Sequence, residues 1–182
     1  SLSDVALRFL AGSLAGTPTI FVIEDAQHID EASQDLLLRL SRAAVNGDLD
    51  VRGYLVRLDE MGCALRQRLE EEPRPERAVM ALNRYMFQEL GFRGNAEQYY
   101  DARNSYLNEV IDRRTGIPIS LSTVYMELAR RGGLEVEGVG LPGHFVVRVQ
   151  TPARPILVDP FHGGTLLTEK DQSVPVMLTR NG

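Results

Sequence analysis

Residues 119–168 read ISLSTVYMELARRGGLEVEGVGLPGHFVVRVQTPARPILVDPFHGGTLLT, and their apolar period changes once, at the paired glycines Gly132 and Gly133. Before those glycines, Leu121, Val124, Tyr125 and Leu128 fall at helical spacing, which predicts a helix closed by glycine. After them come short apolar segments punctuated by turn residues: 135–141, 144–150 beyond the Pro142-Gly143 turn, 155–159, and 165–168 beyond Gly163-Gly164. Each has the length and boundaries of a strand. A helix followed by strands joined through tight turns is the grammar of an α+β domain with an antiparallel sheet.

Upstream of this stretch the pattern is helical. In residues 50–72, Val51, Leu55, Leu58, Gly62, Leu65 and Leu69 form one stripe at alternating four- and three-residue steps, the signature of an amphipathic helix. Pro73 and Pro75 end it, because proline disfavours helix at the preceding residue. Residues 76–91 predict a second helix with Val79, Leu82, Met86 and Leu90 inward and Gly91 as its left-handed stop. Residues 104–116 predict a short third helix ending at Gly116.

Residues 1–45 have a different grammar. An amphipathic helix over 1–16 is broken by Pro18, the apolar run TIFVI (19–23) reads as a buried strand ending in Glu24-Asp25, and a helix resumes over 30–44. PTIFVIEDAQHIDEASQDLLLRL (18–40) resembles the Walker B region of STAND or AAA-type regulatory ATPases. That resemblance implies magnesium and water handling at Glu24 and Asp25. Such a site also needs a glycine-rich loop ending in lysine to cradle phosphates. GSLAGT (12–17) has the glycines without the lysine, and the single lysine of the chain is Lys170. Nucleotide binding is therefore not expected. The chain divides into an ATPase-like fragment over 1–45 and an α+β domain over 46–182, with the residues before Asn46 packed less tightly than the rest.

Composition narrows the function classes. The net charge is −5 and no basic run exceeds a pair, which argues against nucleic acid. No apolar stretch approaches the roughly 20 residues of a membrane span, and no secretory signal is visible, so the chain reads as cytoplasmic. Cys63 is the only cysteine. It excludes an internal disulfide and any multi-cysteine metal site, and it reads as a partly buried, inert thiol beside the stripe of its helix.

From Asp48 onward the chain resembles the SirB1 family of the transglutaminase-like superfamily. The match is densest in YYDARNSYLNEVIDRRTGIPISLSTVYMELARRGGLEVEGVGLPGHFVVRV (99–149) and ILVDPFHGGTLLT (156–168). The resemblance implies a transglutaminase-like (papain-like) core in which N-terminal helices precede a central helix packed on an antiparallel sheet. It also implies further helices beyond residue 168, where this chain has only 169–182. In active members, cysteine sits at the start of that helix, histidine opens a following strand, and aspartate lies on the next. A helix N-terminus favours thiolate, the histidine takes the proton, and the aspartate fixes its tautomer.

His144 and Asp159 fall where this scheme wants them. Pairing 144–150 with 155–159 in any register whose residue numbers sum to an odd value puts both side chains on one face. Val149 opposite Arg154 would set His144 directly across from Asp159. The cysteine position lands on Pro118, which suits the first turn of a helix but carries no nucleophile. Ser120 and Ser122 are the nearest hydroxyls. Either Ser120 replaces the cysteine, or serine caps the helix. His162 reads as a second imidazole at the site mouth or a solvated turn residue. With His144 and Asp159 it crowds one hairpin end with no fourth ligand in view, so neither metal nor cofactor is expected. Asn104 and Tyr106 belong to the SirB1-like signature, as loop-bonding or helix-capping residues. The expected function is a non-catalytic or weakly catalytic binding or regulatory domain for a protein or peptide. The alternative is an acyl-transfer hydrolase using Ser120 (or Ser122), His144 and Asp159.

Overall fold

The computed structural model describes residues 50–70, 72 and 74–167. The expected fragment over 1–45, with Glu24 and Asp25, and the domain boundary at 46 lie outside the described residues.

The predicted stripe becomes helix α1, Val51–Glu70, with Leu58 and Leu65 fully buried and Leu55 and Leu69 half-buried. Met61, outside the predicted stripe, is buried as well. Cys63 is exposed, which corrects the expected partial burial: one residue beyond Gly62, it points off the contact face. The second predicted helix is two elements. Helix α2, Pro75–Asn83, starts on proline, whose missing N–H is no loss at that position, and passes into a π-helical turn over Arg84–Glu89. The wider turn, in which the Leu90 N–H donates to the Tyr85 carbonyl, brings Tyr85 and Met86 into the core side by side. Leu90 is left half-buried, and Gly91 at φ 77° makes the left-handed stop.

Strand β1, Arg93–Gly94, pairs in parallel with β2, Thr115–Gly116. Between them lie a 3₁₀ turn, Ala102–Ser105, and helix α3, Leu107–Arg113. The third helix thus stops at Arg113, with Arg114 left-handed at φ 56°, because Thr115 and Gly116 are drawn into the bridge.

Helix α4, Pro118–Gly132, is the centre of the domain. Leu121, Val124, Tyr125 and Leu128 are buried as their spacing predicts. The helix ends in a Schellman motif: Gly133 is left-handed, its N–H donates to the Arg130 carbonyl, and the Leu134 N–H donates to the Ala129 carbonyl. Four antiparallel strands follow in the order β3 (Val136–Leu141), β4 (His144–Val149), β5 (Ile156–Asp159) and β6 (Thr165–Leu167). Val136, Val147, Val149 and Val158 face α4 in the main core, whereas Val139, Val146 and Leu157 form a smaller cluster on the other face. Each fully buried valine or leucine here contributes roughly 1.5–3 kcal/mol. Helix packed on an antiparallel sheet is the predicted α+β architecture.

Candidate functional site

Asp159, at the end of β5, organises the site. Its carboxylate is buried and takes four hydrogen bonds. Oδ1 accepts the backbone N–H of Phe161 at 3.0 Å and of His162 at 3.2 Å, closing an Asx-type turn over the next residues. Oδ2 lies 2.7 Å from His144 Nε2 and 2.7 Å from His162 Nδ1. The turn depends on glycine: Gly163 and Gly164 sit at φ 67° and 80°, and the Gly164 N–H returns to the Asp159 carbonyl. Burial pushes the Asp159 pKa up, but hydrogen bonds from His144 and His162, with the charge of His144, outweigh it, and the carboxyl is held below its ordinary range.

His144 opens β4 immediately after the Pro142-Gly143 turn, with Gly143 at φ 70°. The β4–β5 register differs from the predicted one by two residues: Val149 pairs with Ile156, not Arg154. The Thr151 hydroxyl accounts for the slip. It donates to the Arg154 carbonyl and accepts the Arg154 N–H, so that residue's backbone is already taken before the ladder begins. A two-residue slip preserves the face. Continuing the register sets Asp159 opposite Val146, and His144 reaches it diagonally along the same face. With both imidazoles neutral, each donates to Oδ2 and keeps a lone pair, on His144 Nδ1 and on His162 Nε2. The His144 and His162 ring centroids are 5.6 Å apart, and Phe161 stands edge-on to both.

The hydroxyls near the start of α4 are committed elsewhere. Ser120 is buried; its Oγ donates to the Asn104 carbonyl at 2.6 Å, lies 3.2 Å from the Ile117 carbonyl, and accepts the Ile117 N–H at 3.1 Å. That last contact is half of a capping box. Ser122 Oγ donates to the Phe145 carbonyl at 3.3 Å, fastening the second turn of α4 to the strand that carries His144. Pro118 is buried at the first helical position. Among the described residues, the side chains of His144 and Asp159 make no hydrogen bond to α4. Asn104 is fully buried and ties loops together: its amide donates to the Gln98 and Tyr99 carbonyls and accepts from Asn95.

Three neighbours carry no signal of their own in the sequence, although Tyr99 and Phe161 lie within the two stretches of densest family likeness. Asn83, where α2 meets the π turn, accepts from the Tyr125 hydroxyl at 2.8 Å and donates to the Gly164 carbonyl at 2.7 Å. It thereby clamps the turn of Asp159 to the central helix, and a Cβ on Gly164 would lie 2.6 Å from it. Phe161 rests on the β1 backbone, where a Cβ on Gly94 would meet its carbonyl oxygen at 2.4 Å. Tyr99 packs edge-on against Phe161 and against the exposed Tyr100, giving the site an aromatic rim.

An α+β domain with a helix on an antiparallel sheet and a histidine–aspartate pair at the strand ends is the class that fold and site define. The chain belongs to the transglutaminase-like superfamily, whose family description matches residues 52–181. It is 44% identical over 124 residues to a UPF0162 protein of Xylella fastidiosa, a segment covering 68% of this chain and 44% of that one. It is 39% identical over 99 residues to human F-box only protein 21, covering 50% of this chain and 16% of that protein. A solved structure described as a TGase aligns with a TM-score of 0.48 at 19% identity, over 79% of this chain and 42% of the other. The chain thus spans less than half the length of these relatives.

Proposed function

We propose that this is a SirB1-type transglutaminase-like domain that binds a protein or peptide without turning it over, using the His144–Asp159 pair and the aromatic rim of Tyr99 and Phe161. The observation that carries this reading is that, among the described residues, no nucleophile engages the pair. The helix-start position is Pro118, Ser120 and Ser122 spend their hydroxyls on backbone carbonyls, and the single thiol is exposed on α1. A hydroxyl that already donates to a backbone carbonyl has no proton free for a base, and among the described residues neither serine is hydrogen-bonded to His144. The acyl-transfer alternative is weakened on the same ground. A ligand would meet the lone pair of His144 Nδ1 and the edges of the aromatic rings, groups suited to an amide N–H and an apolar side chain.

The test is covalent labelling of the intact chain with a serine-reactive fluorophosphonate and a thiol-reactive amide analogue, alongside peptide-display selection. Labelling no stronger than in Ser120→Ala, Ser122→Ala and His144→Ala is expected, together with selected peptides that lose at least about tenfold in affinity on Tyr99→Ala. Labelling abolished both by one serine variant and by His144→Ala would make the protein a hydrolase instead.

A further inference from the structure

We propose that His144, Asp159 and His162 form a binding site for a divalent transition-metal ion, zinc by chemistry, with its remaining coordination positions open to solvent or ligand. One ligating atom from each of the three residues lies within 4.8 Å of the others, the only such cluster among the described residues. Two imidazoles and one carboxylate are a donor set that zinc accepts in three-ligand sites, leaving a further position for water or substrate.

The way the three donors are held is the stronger argument. Asp159 Oδ1 is locked by two backbone N–H groups, which leaves Oδ2 as a monodentate donor of fixed position. Both histidines aim a ring nitrogen at that same oxygen from different elements, one from the start of β4 and one from the turn after β5. A hydrogen-bonded pair serving only to orient His144 needs one imidazole; the second, His162, approaches at the same 2.7 Å although its side chain is 63% exposed and free to point into water. Exchange of the two shared protons for a cation requires each ring to carry its proton on the other nitrogen, a tautomer change that solvent supplies without net proton loss. A tetrahedral set of metal bonds of about 2.0–2.1 Å has ligand-to-ligand edges of about 3.3–3.4 Å, so both nitrogen–oxygen separations must open and the two histidine nitrogens, within 4.8 Å of each other, must draw together. The backbone of the turn is held by Asn83 and Asp159, so the adjustment falls to rotation of the exposed His162 side chain. The outer shell is already built: the Phe161 and His162 N–H groups orient the carboxylate, and Phe161 covers one side of both rings. The set was discounted in the sequence for want of a fourth protein ligand, but water fills that place in open sites.

This inference does not depend on the peptide-binding reading, because β4, β5 and the turn after β5 place the three ligands without the aromatic rim; with zinc bound, His144 would present an Nδ1–H in place of the lone pair. The experiment is calorimetric titration of zinc chloride into the intact chain after chelator treatment, repeated with His162→Ala, His144→Gln and Asp159→Asn. His162→Ala is the deciding variant, since the side chain is exposed and the variant folds by any reading. One zinc per chain is expected, with affinity lowered at least the roughly 10–100-fold that outer-shell losses alone cause elsewhere. Cobalt(II) should give a ligand-field spectrum that His162→Ala abolishes. Zinc affinity unchanged in His162→Ala, or no saturable binding in the unmodified chain, would overturn the site and leave a hydrogen-bonded triad.

Discussion

Asp159 and Glu127 are both buried carboxylates facing two basic side chains, and their acidities move in opposite directions. Asp159, at the end of β5, is held below the ordinary carboxylate range, because hydrogen bonds from His144 and His162 outweigh burial. Glu127, on the α4 face that meets α1, is raised by burial; the hydrogen bonds and charges of Arg131 and Arg130 offset only part of it. The difference lies in what surrounds the oxygens. Asp159 is saturated by four donors, two of them rigid backbone groups. Glu127 is met by the flexible Arg131, which also bonds Asp59 at 2.7 Å and is bonded through its carbonyl by Arg66. One region is fixed by directed hydrogen bonds, the other by the fit of two helices. Each should be fragile to the change the other tolerates.

The largest effect is expected at Asp159→Ala. Two turn N–H groups and the half-buried His144 nitrogen lose their acceptor together, and an unsatisfied buried donor costs about 1–3 kcal/mol. Allowing for water reaching exposed His162, the loss should be about 3 kcal/mol in urea unfolding of the intact chain. Because the folded pKa is depressed, this contribution is present above the unfolded carboxyl value, about 3.9, and is lost as pH falls through the lower folded value. The stability gap between the unmodified chain and Asp159→Asn should therefore close below about pH 4. A gap that persisted there would mean the turn is held by something other than the ionised carboxylate.

The contrast also explains what the sequence could and could not disclose. The α4 stripe and the glycine turns are written in period and composition, so the fold was legible there. Strand parity likewise placed His144 and Asp159 on one face, because parity survives a two-residue slip. The slip itself was hidden, since it follows from a Thr151 side chain occupying Arg154's backbone. The π turn was hidden too, because local apolar spacing carries no trace of a widened turn. Convergence of His162 on Oδ2 depends on two left-handed glycines, and the Asn83 clamp depends on the π turn. The clamp is a product of long-range contact, whereas His162 meets Asp159 through a local turn whose side-chain direction composition leaves open. Glu127 was read only as part of a helix, because nothing in a helical period says that a charged position is buried.

The helix–helix region should fail instead to a methyl group. A Cβ on Gly62 would lie 2.3 Å from the Cβ of Arg131, a backbone-anchored atom that cannot swing aside. Gly62→Ala gains helix propensity of up to about 1 kcal/mol but must separate α1 from α4, at about 1–3 kcal/mol. A net loss of about 1–2 kcal/mol is expected by urea unfolding, with the zinc titration and His144 environment unchanged. A stabilised variant would show that the two helices have slack, and the distinction between a packed and a bonded region would disappear.

The smallest effect, and the sharpest for the comparison, belongs to Glu127→Gln. A raised folded pKa means that the protonated carboxyl is the form burial favours. Its contribution to stability is present below the unfolded glutamate value, about 4.3, and declines as pH rises through the folded value. Glutamine imitates the protonated form in shape and charge, keeps an acceptor for Arg131, and leaves Arg131 its bond to Asp59. At pH 7 the variant should fall within about 1 kcal/mol of the unmodified chain, on the stable side, and that advantage should shrink towards pH 4. Asp159→Asn runs the other way over a lower range, losing most above about pH 3.9 and least below the depressed folded value. Denaturation curves for the two variants taken from pH 7 to well below about pH 3.9 read both slopes. Slopes of the same sign would mean that backbone donors and mobile arginines satisfy a buried carboxylate equally well, which the opposite shifts of Asp159 and Glu127 deny.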